Sequence, residues 1–130
     1  MKAYITCPVT HTQNKTRILS VIEQVVKNNG HDTFVFKIGG PPKEIFTRDF
    51  RELKSSDLLI AEISEPSHGV GAEIGMSYCF DLDRILLYER GKNVSKFLSG
   101  MPRTTIMEYI TLKDLKYGLD IHLKKNYTKF

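Results

Sequence analysis

Cysteine is scarce in this 130-residue chain: Cys7 and Cys79 are its two thiols, both in apolar segments and at a separation that fits no metal-ligand spacing. They are expected to be buried free thiols in a reducing compartment, with no disulfide between them. Also missing is any apolar run near the roughly 18 residues that a membrane-spanning helix needs. Residues 1–7 read as a strand and lack the apolar core and cleavage site of a secretory signal, so a cytoplasmic protein is expected. No basic run reaches about five residues, and no basic stretch is interleaved with aromatics, which argues against nucleic-acid binding. The formal net charge is nonetheless +4, with lysines gathering at Lys113, Lys116, Lys124, Lys125 and Lys129, a balance that suits an anionic ligand without demanding one. No repeat, low-complexity stretch or linker divides the chain. Residues 1–130 therefore read as one domain, able to bury about two-thirds of its unfolded surface.

What is present is an alternation of short β-branched runs with helical periods. Residues 4–9 read as a strand, followed by a helix over 12–29 with Ile18, Leu19, Ile22, Val25 and Val26 at helical spacing and Gly30 as its stop. A second strand, 33–38, ends at Gly39-Gly40-Pro41-Pro42, and a helix over 43–56 leads to a third strand, 58–64. A helix over 70–80, a strand over 84–88, a short segment at 95–99, a strand over 105–110 and a helix over 112–124 complete the order. Strands without polar alternation are buried on both faces, as parallel strands between helix layers are. The pattern predicts an α/β fold: a doubly wound, Rossmann- or flavodoxin-like, five-stranded parallel sheet with helices on both faces. Ligands bind such sheets beyond the carboxyl ends of the strands, where strand order reverses, so the loops after the first and third strands become the places to look.

The third strand runs into Ser64-Glu65-Pro66-Ser67-His68-Gly69-Val70-Gly71-Ala72-Glu73-Ile74-Gly75. Glycines ahead of a helix let its backbone approach a ligand, and the exposed N–H groups there favour an anion such as a phosphate. The order is not the dinucleotide fingerprint, and no Walker lysine follows it. Glu73 is read in the first helical turn, where an acid ordinarily stabilises the helix N-terminus. Gly71 and Gly75 are expected to clear space around it, and a carboxylate so placed can attack an anomeric carbon. Asp49 falls on the apolar face of its helix, beside Phe46 and Leu53, where an acid caps a group, pairs with a cation or does chemistry. Asp57 is expected to bond loop backbone, and Glu62 and Glu65 to be structural or solvated. His11 and His68 flank the expected pocket as surface or hydrogen-bonding residues. No histidine, cysteine or carboxylate set has metal-site spacing, so neither a metal nor a cofactor is expected.

The run from Asp57-Leu58-Leu59-Ile60-Ala61-Glu62 through Gly69-Val70-Gly71-Ala72-Glu73-Ile74-Gly75 resembles the signature of the nucleoside 2-deoxyribosyltransferase superfamily, and most of all its 2′-deoxynucleoside 5′-phosphate N-hydrolases. Tyr4, Asp49 and Phe97-Leu98-Ser99-Gly100-Met101 extend the likeness over most of the chain. The resemblance implies hydrolysis of the N-glycosidic bond of a nucleoside 5′-monophosphate through a covalent intermediate on Glu73, with Asp49 assisting protonation of the leaving base and Tyr4 orienting the nucleophile. It also implies substrate contacts from Ser67, Gly69, Gly71, Met101 and Thr10. Ser99 matches a serine that the family supplies from a neighbouring subunit, so a homodimer is expected. Where the family's nucleotide hydrolases have a loop like Gly-Ser-Ile-Arg, this chain has Cys7-Pro8-Val9-Thr10, which leaves phosphate contacts to Thr10, His11, Lys15 or Arg103. Base exchange by a transferase and non-catalytic nucleotide binding are the alternative readings.

Overall fold

The computed structural model describes residues 1–9, 16–37 and 39–128, and for Thr16 the backbone alone. Five strands alternate with five helices in chain order: β1 Lys2–Thr6, α1 Thr16–Asn28, β2 Asp32–Val35, α2 Pro42–Lys54, β3 Leu58–Glu62, α3 His68–Cys79, β4 Asp83–Glu89, α4 Lys96–Ser99, β5 Thr104–Tyr109 and α5 Leu112–Asn126. The strands form one sheet in the order β2-β1-β3-β4-β5, every neighbouring pair parallel. This is the doubly wound sheet the pattern predicted, in the flavodoxin-like order. Its reversal lies between β1 and β3, so a crevice opens beyond their carboxyl ends.

Alternation along the strands divides the interior into two layers. Ala3, Ile5, Leu58, Ile60, Ile85 and Leu87 face α1 and α5, where Ile22, Val26, Leu119 and Leu123 are buried with them. Tyr4, Leu59, Ala61 and Leu86 face the other way, against Leu53 of α2 and Val70 and Ile74 of α3. Because both faces of the central strands are covered, all five residues of β3 are buried, which explains the unbroken apolar run in the sequence.

Local chemistry sets the element ends. Gly30, at φ 81°, closes α1 by turning left-handed, as its position suggested. Gly39 and Gly40 also adopt positive φ (115° and 104°), after which Pro41 caps α2 and Pro42 opens it with a ring already at helical φ. Asp57, expected to bond backbone, accepts the Lys2 N–H at 2.8 Å and ties the start of β1 to that of β3. Cys7 is buried as expected, but Cys79 is exposed, because the last turn of α3 presents it to the outer side of the helix. No described helix is long and apolar enough to cross a membrane.

Ile60 lies at the centre of the sheet, fully buried between β1 and β4. Ile60→Ala is expected to lower the unfolding free energy by about 2–5 kcal/mol, measured by urea denaturation, since the cavity it leaves cannot collapse in a close-packed sheet.

Candidate active site

The crevice at the β1/β3 reversal holds a cavity of about 410 Å³ walled by β1, α2 and α3. Its floor follows from strand geometry. Residues two apart on β1 share a face, so Tyr4 and Thr6 both point toward α3. Both are almost completely buried, and both end on Glu73. The Tyr4 hydroxyl donates to Glu73 Oε2, and the Thr6 hydroxyl donates to Glu73 Oε1 at 3.0 Å. The carboxylate is thereby held at both oxygens by two donors from one strand.

Burial pushes the Glu73 carboxyl above its ordinary 4.5; the bonds from Tyr4 and Thr6 pull it back, and the nearby charge of Asp49 adds to the rise. Tyr4 is pushed well above its ordinary 10.0, first by burial and then by the charge of Glu73 and the bond to it. Its phenol thus remains protonated at neutral pH and acts as a donor. Asp49 lines the same cavity from α2, where Arg48 Nε approaches its Oδ1 at 3.0 Å and donates to it. A second nitrogen of Arg48 donates to the Lys37 carbonyl at 2.7 Å, which fixes the guanidinium against the β2–α2 connection. Of the three roles open to Asp49, cation pairing is the one visible here, and its place in the cavity wall leaves it free to face a ligand as well.

The loop from β3 to α3 is anchored from beneath. Glu62 is wholly buried and accepts the Ser64 N–H at 2.5 Å and the Tyr109 hydroxyl at 2.6 Å, while Ser64 Oγ accepts the Glu89 N–H at 2.8 Å. Glu62 is therefore structural, as expected, and not solvated. Glu65 pairs with Lys92 at 2.8 Å. Ser67 caps α3 by accepting the Val70 N–H at 3.3 Å, which keeps its own hydroxyl proton available to a ligand in the cavity it lines.

Several expectations change. The helix begins at His68, two residues before the predicted start, so Glu73 sits in its second turn. Stabilisation of the helix N-terminus, which fades beyond the first turn, does not account for it. Gly71 and Gly75 do not make its room: a Cβ on either would meet nothing within 4 Å, because both face outward. Gly69 lines the cavity, but Gly71 lines a neighbouring cleft with Asn93 and Ser95, and His68 is exposed at the helix start. Ser99 and Met101 stand away from the cavity of their own chain; Ser99 is exposed and bonds the Ser95 carbonyl at 3.2 Å. Arg103 precedes β5 and pairs with Asp83 at 2.8 Å at the amino-terminal end of the sheet, opposite the cavity, which removes it as a phosphate ligand. Thr10, His11 and Lys15 lie outside the described residues. Thr6 is the site residue the sequence reading missed, and its signal was the two-residue step from Tyr4. Among the described residues no group of three or more His, Cys, Asp or Glu could hold a metal ion.

No protein-family model matches the chain. It is similar to a Thermofilum pendens protein that carries the provisional name 2′-deoxynucleoside 5′-phosphate N-hydrolase 1, with 31% identity over 112 residues, 78% of each chain. In structure it resembles the Clostridium botulinum CMP N-glycosidase, with a TM-score of 0.79, 20% identity and coverage of 95% of this chain and 100% of that one. It also resembles the 2-deoxyribosyltransferase of Bacillus psychrosaccharolyticus, with a TM-score of 0.66, 19% identity and coverage of 89% and 90%. At these identities the two structural likenesses speak to the fold alone.

The raised carboxyl of Glu73 has a consequence for stability. A carboxyl group whose pKa is higher folded than unfolded binds more protons in the native state, so stability falls as pH rises from 4.5 through the folded value. Glu73→Gln keeps the shape and removes that penalty. It is expected to raise the thermal midpoint at pH 7, with the gain vanishing below about pH 4.5, where both states of the parent are protonated.

Proposed function

This chain belongs to the 2′-deoxynucleoside 5′-phosphate N-hydrolase family, and we propose that it hydrolyses the N-glycosidic bond of nucleoside 5′-monophosphates, with Glu73 as the nucleophile. The observation that carries the reading is the Glu73 carboxylate, held at both oxygens by Tyr4 and Thr6 on the floor of a cavity whose wall presents Asp49. In the first step a Glu73 oxygen bonds to C1′ as the bond from C1′ to the base breaks, and Asp49 gives the departing base its proton. In the second step water attacks C1′, the ester to Glu73 breaks, and the proton lost by water returns to Asp49. Two displacements at one carbon give net retention. Tyr4 and Thr6 fix the carboxylate's orientation, so a productive geometry exists before substrate arrives. Ser67, neutral and with a free hydroxyl proton at a helix N-terminus, is suited to a substrate phosphate. Thr10 and Gly69 are the further substrate contacts of this proposal.

A homodimer forms part of the reading. Apart from Glu73 and His68, α3 carries no ionisable side chain other than those of Tyr78 and Cys79, yet Gly71, Ala72, Gly75, Tyr78 and Cys79 are exposed on it. A helix apolar on all sides is normally covered on all sides. A second copy packed there is the partner of this proposal, and Ser99 and Met101, which stand away from the cavity in one chain, are the contacts it is proposed to supply.

The test is a panel of nucleosides and their 5′-monophosphates, ribo and deoxy, with free base followed by chromatography and each reaction run with and without a second acceptor base. Base release from monophosphates without exchange is expected, and it should be lost in Glu73→Gln. Exchange on unphosphorylated nucleosides would make the protein a transferase. No release that depends on Glu73 from any substrate would sink the reading and leave nucleotide binding in its place. Asp49→Asn is expected to lower kcat by roughly 100- to 10,000-fold, the usual contribution of a general acid. The same substitution should cost far less with a substrate whose leaving group needs no proton.

A further inference from the structure

On α2, Phe46, Asp49 and Phe50 stand at i, i+3 and i+4 and therefore share one face, and all three line the cavity. The rings of Phe46 and Phe50 are stacked, with centroids 5.4 Å apart and planes 29° from parallel. Phe80 braces Phe50 edge-on at 5.3 Å and 80°. Phe50 is thus held from behind, but Phe46 is 58% exposed at the cavity wall. The sequence pattern assigned Phe46 to the core; the structure leaves it uncovered among the described residues. Of the six α2 residues that line the cavity, Asp49 alone has a polar side chain.

We propose that Phe46 and Phe50 are the platform on which the substrate's base stacks, so that the base is recognised by its face more than by its edges. The inference rests on the reading of Asp49 as the acid that protonates the leaving base. If Asp49 reaches the base, the base lies beside the one helical face that also carries the two rings. A flat heterocycle is the occupant whose chemistry fits an exposed ring backed by a second, nearly parallel one, and every base has a π-face to offer. With one polar side chain on that wall, exchanging an exocyclic amino for an oxo group changes few contacts, whereas losing the ring removes the platform. Phe46 thereby becomes a base-binding residue that tolerates exchange of the base, and the substrates are monophosphates of several bases.

The experiment compares the parent protein with Phe46→Ala and Phe46→Tyr. Michaelis constants are measured for 2′-deoxyadenosine and 2′-deoxycytidine 5′-monophosphates, together with inhibition by 2-deoxyribose 5-phosphate, which has no base. Base–aromatic stacking implies a KM increase of roughly tenfold in Phe46→Ala, with kcat changed by less than about threefold. Phe46→Tyr should restore the parent KM. Inhibition by the sugar phosphate should be equal in all three proteins, and their denaturation midpoints should agree, because the ring is exposed. An unchanged KM in Phe46→Ala, or a parallel weakening of sugar-phosphate inhibition, would overturn the platform. If the parent releases no base, the proposed activity fails separately. The platform is then decided by calorimetric titration of the same monophosphates and sugar phosphate, where loss of affinity for the monophosphates alone in Phe46→Ala upholds it and equal affinity rejects it.

Discussion

The carboxylate of Glu73, gripped by two hydroxyls from β1, is the constraint around which the cavity end of the molecule is arranged. It joins the strand at which sheet order reverses to the helix that follows the next strand, so β1 and α3 cannot shift without disturbing the site. In the nucleophilic role proposed for Glu73, the grip reconciles two demands. A nucleophilic carboxylate must be partly stripped of water, which raises its pKa, yet must stay ionised at neutral pH. Two hydroxyl donors supply polar contacts that lower the pKa without bringing in a cation that would blunt nucleophilicity. Burial is still the largest influence, so the group remains a local cost to the fold, as functional groups often are.

The two ends of the sheet are built differently. At the amino-terminal ends of β4 and β5, Arg84 is 2% exposed and donates to Ser77 Oγ, Thr104 Oγ1 and the carbonyls of Leu82 and Pro102. Such a buried guanidinium, matched by two hydroxyls and two carbonyls, locks a loop, a strand and a helix end together. At the carboxyl ends the corresponding space is a cavity, and the residues around it face a void that a ligand can enter. α2 shows the division within one helix. Leu53 is fully buried against the sheet, while Phe46, two turns earlier on the same stripe, is mostly exposed along the cavity.

Much of this was legible in the sequence. The period of apolar residues marked every strand and every helix but the short α4, which read only as a short segment, to within a few positions, because burial on both faces leaves parallel strands with few polar residues. Gly30 and the Gly-Gly-Pro-Pro turn punctuated the chain where their backbone preferences required. Tyr4, Asp49 and Glu73 were legible through a motif, and the fold brings all three to one cavity. Less legible were features that depend on which way a side chain points once neighbours are present. Cys79, by its apolar segment, and Phe46, by its helical spacing, were placed on the inward side, but helix rotation turns one outward and opens the other to the cavity. Arg103 was grouped with the phosphate ligands by its charge, but its place before β5 puts it at the opposite end of the sheet.

By itself, then, the sequence determined most of the secondary structure, the parallel class of the sheet and which carboxylates to look for at its reversal, since these follow from local periodicity and from a contiguous motif. The tertiary structure decided that Thr6 holds the second oxygen of Glu73, that Ser67 caps α3 while keeping its proton, and that Glu62 is a buried anchor for the loop between them. Each of these depends on groups brought together from distant parts of the chain or on the direction of a single side chain. A hydrogen bond is formed by distance and angle in three dimensions, and spacing along a strand or helix places a group on one side without fixing either.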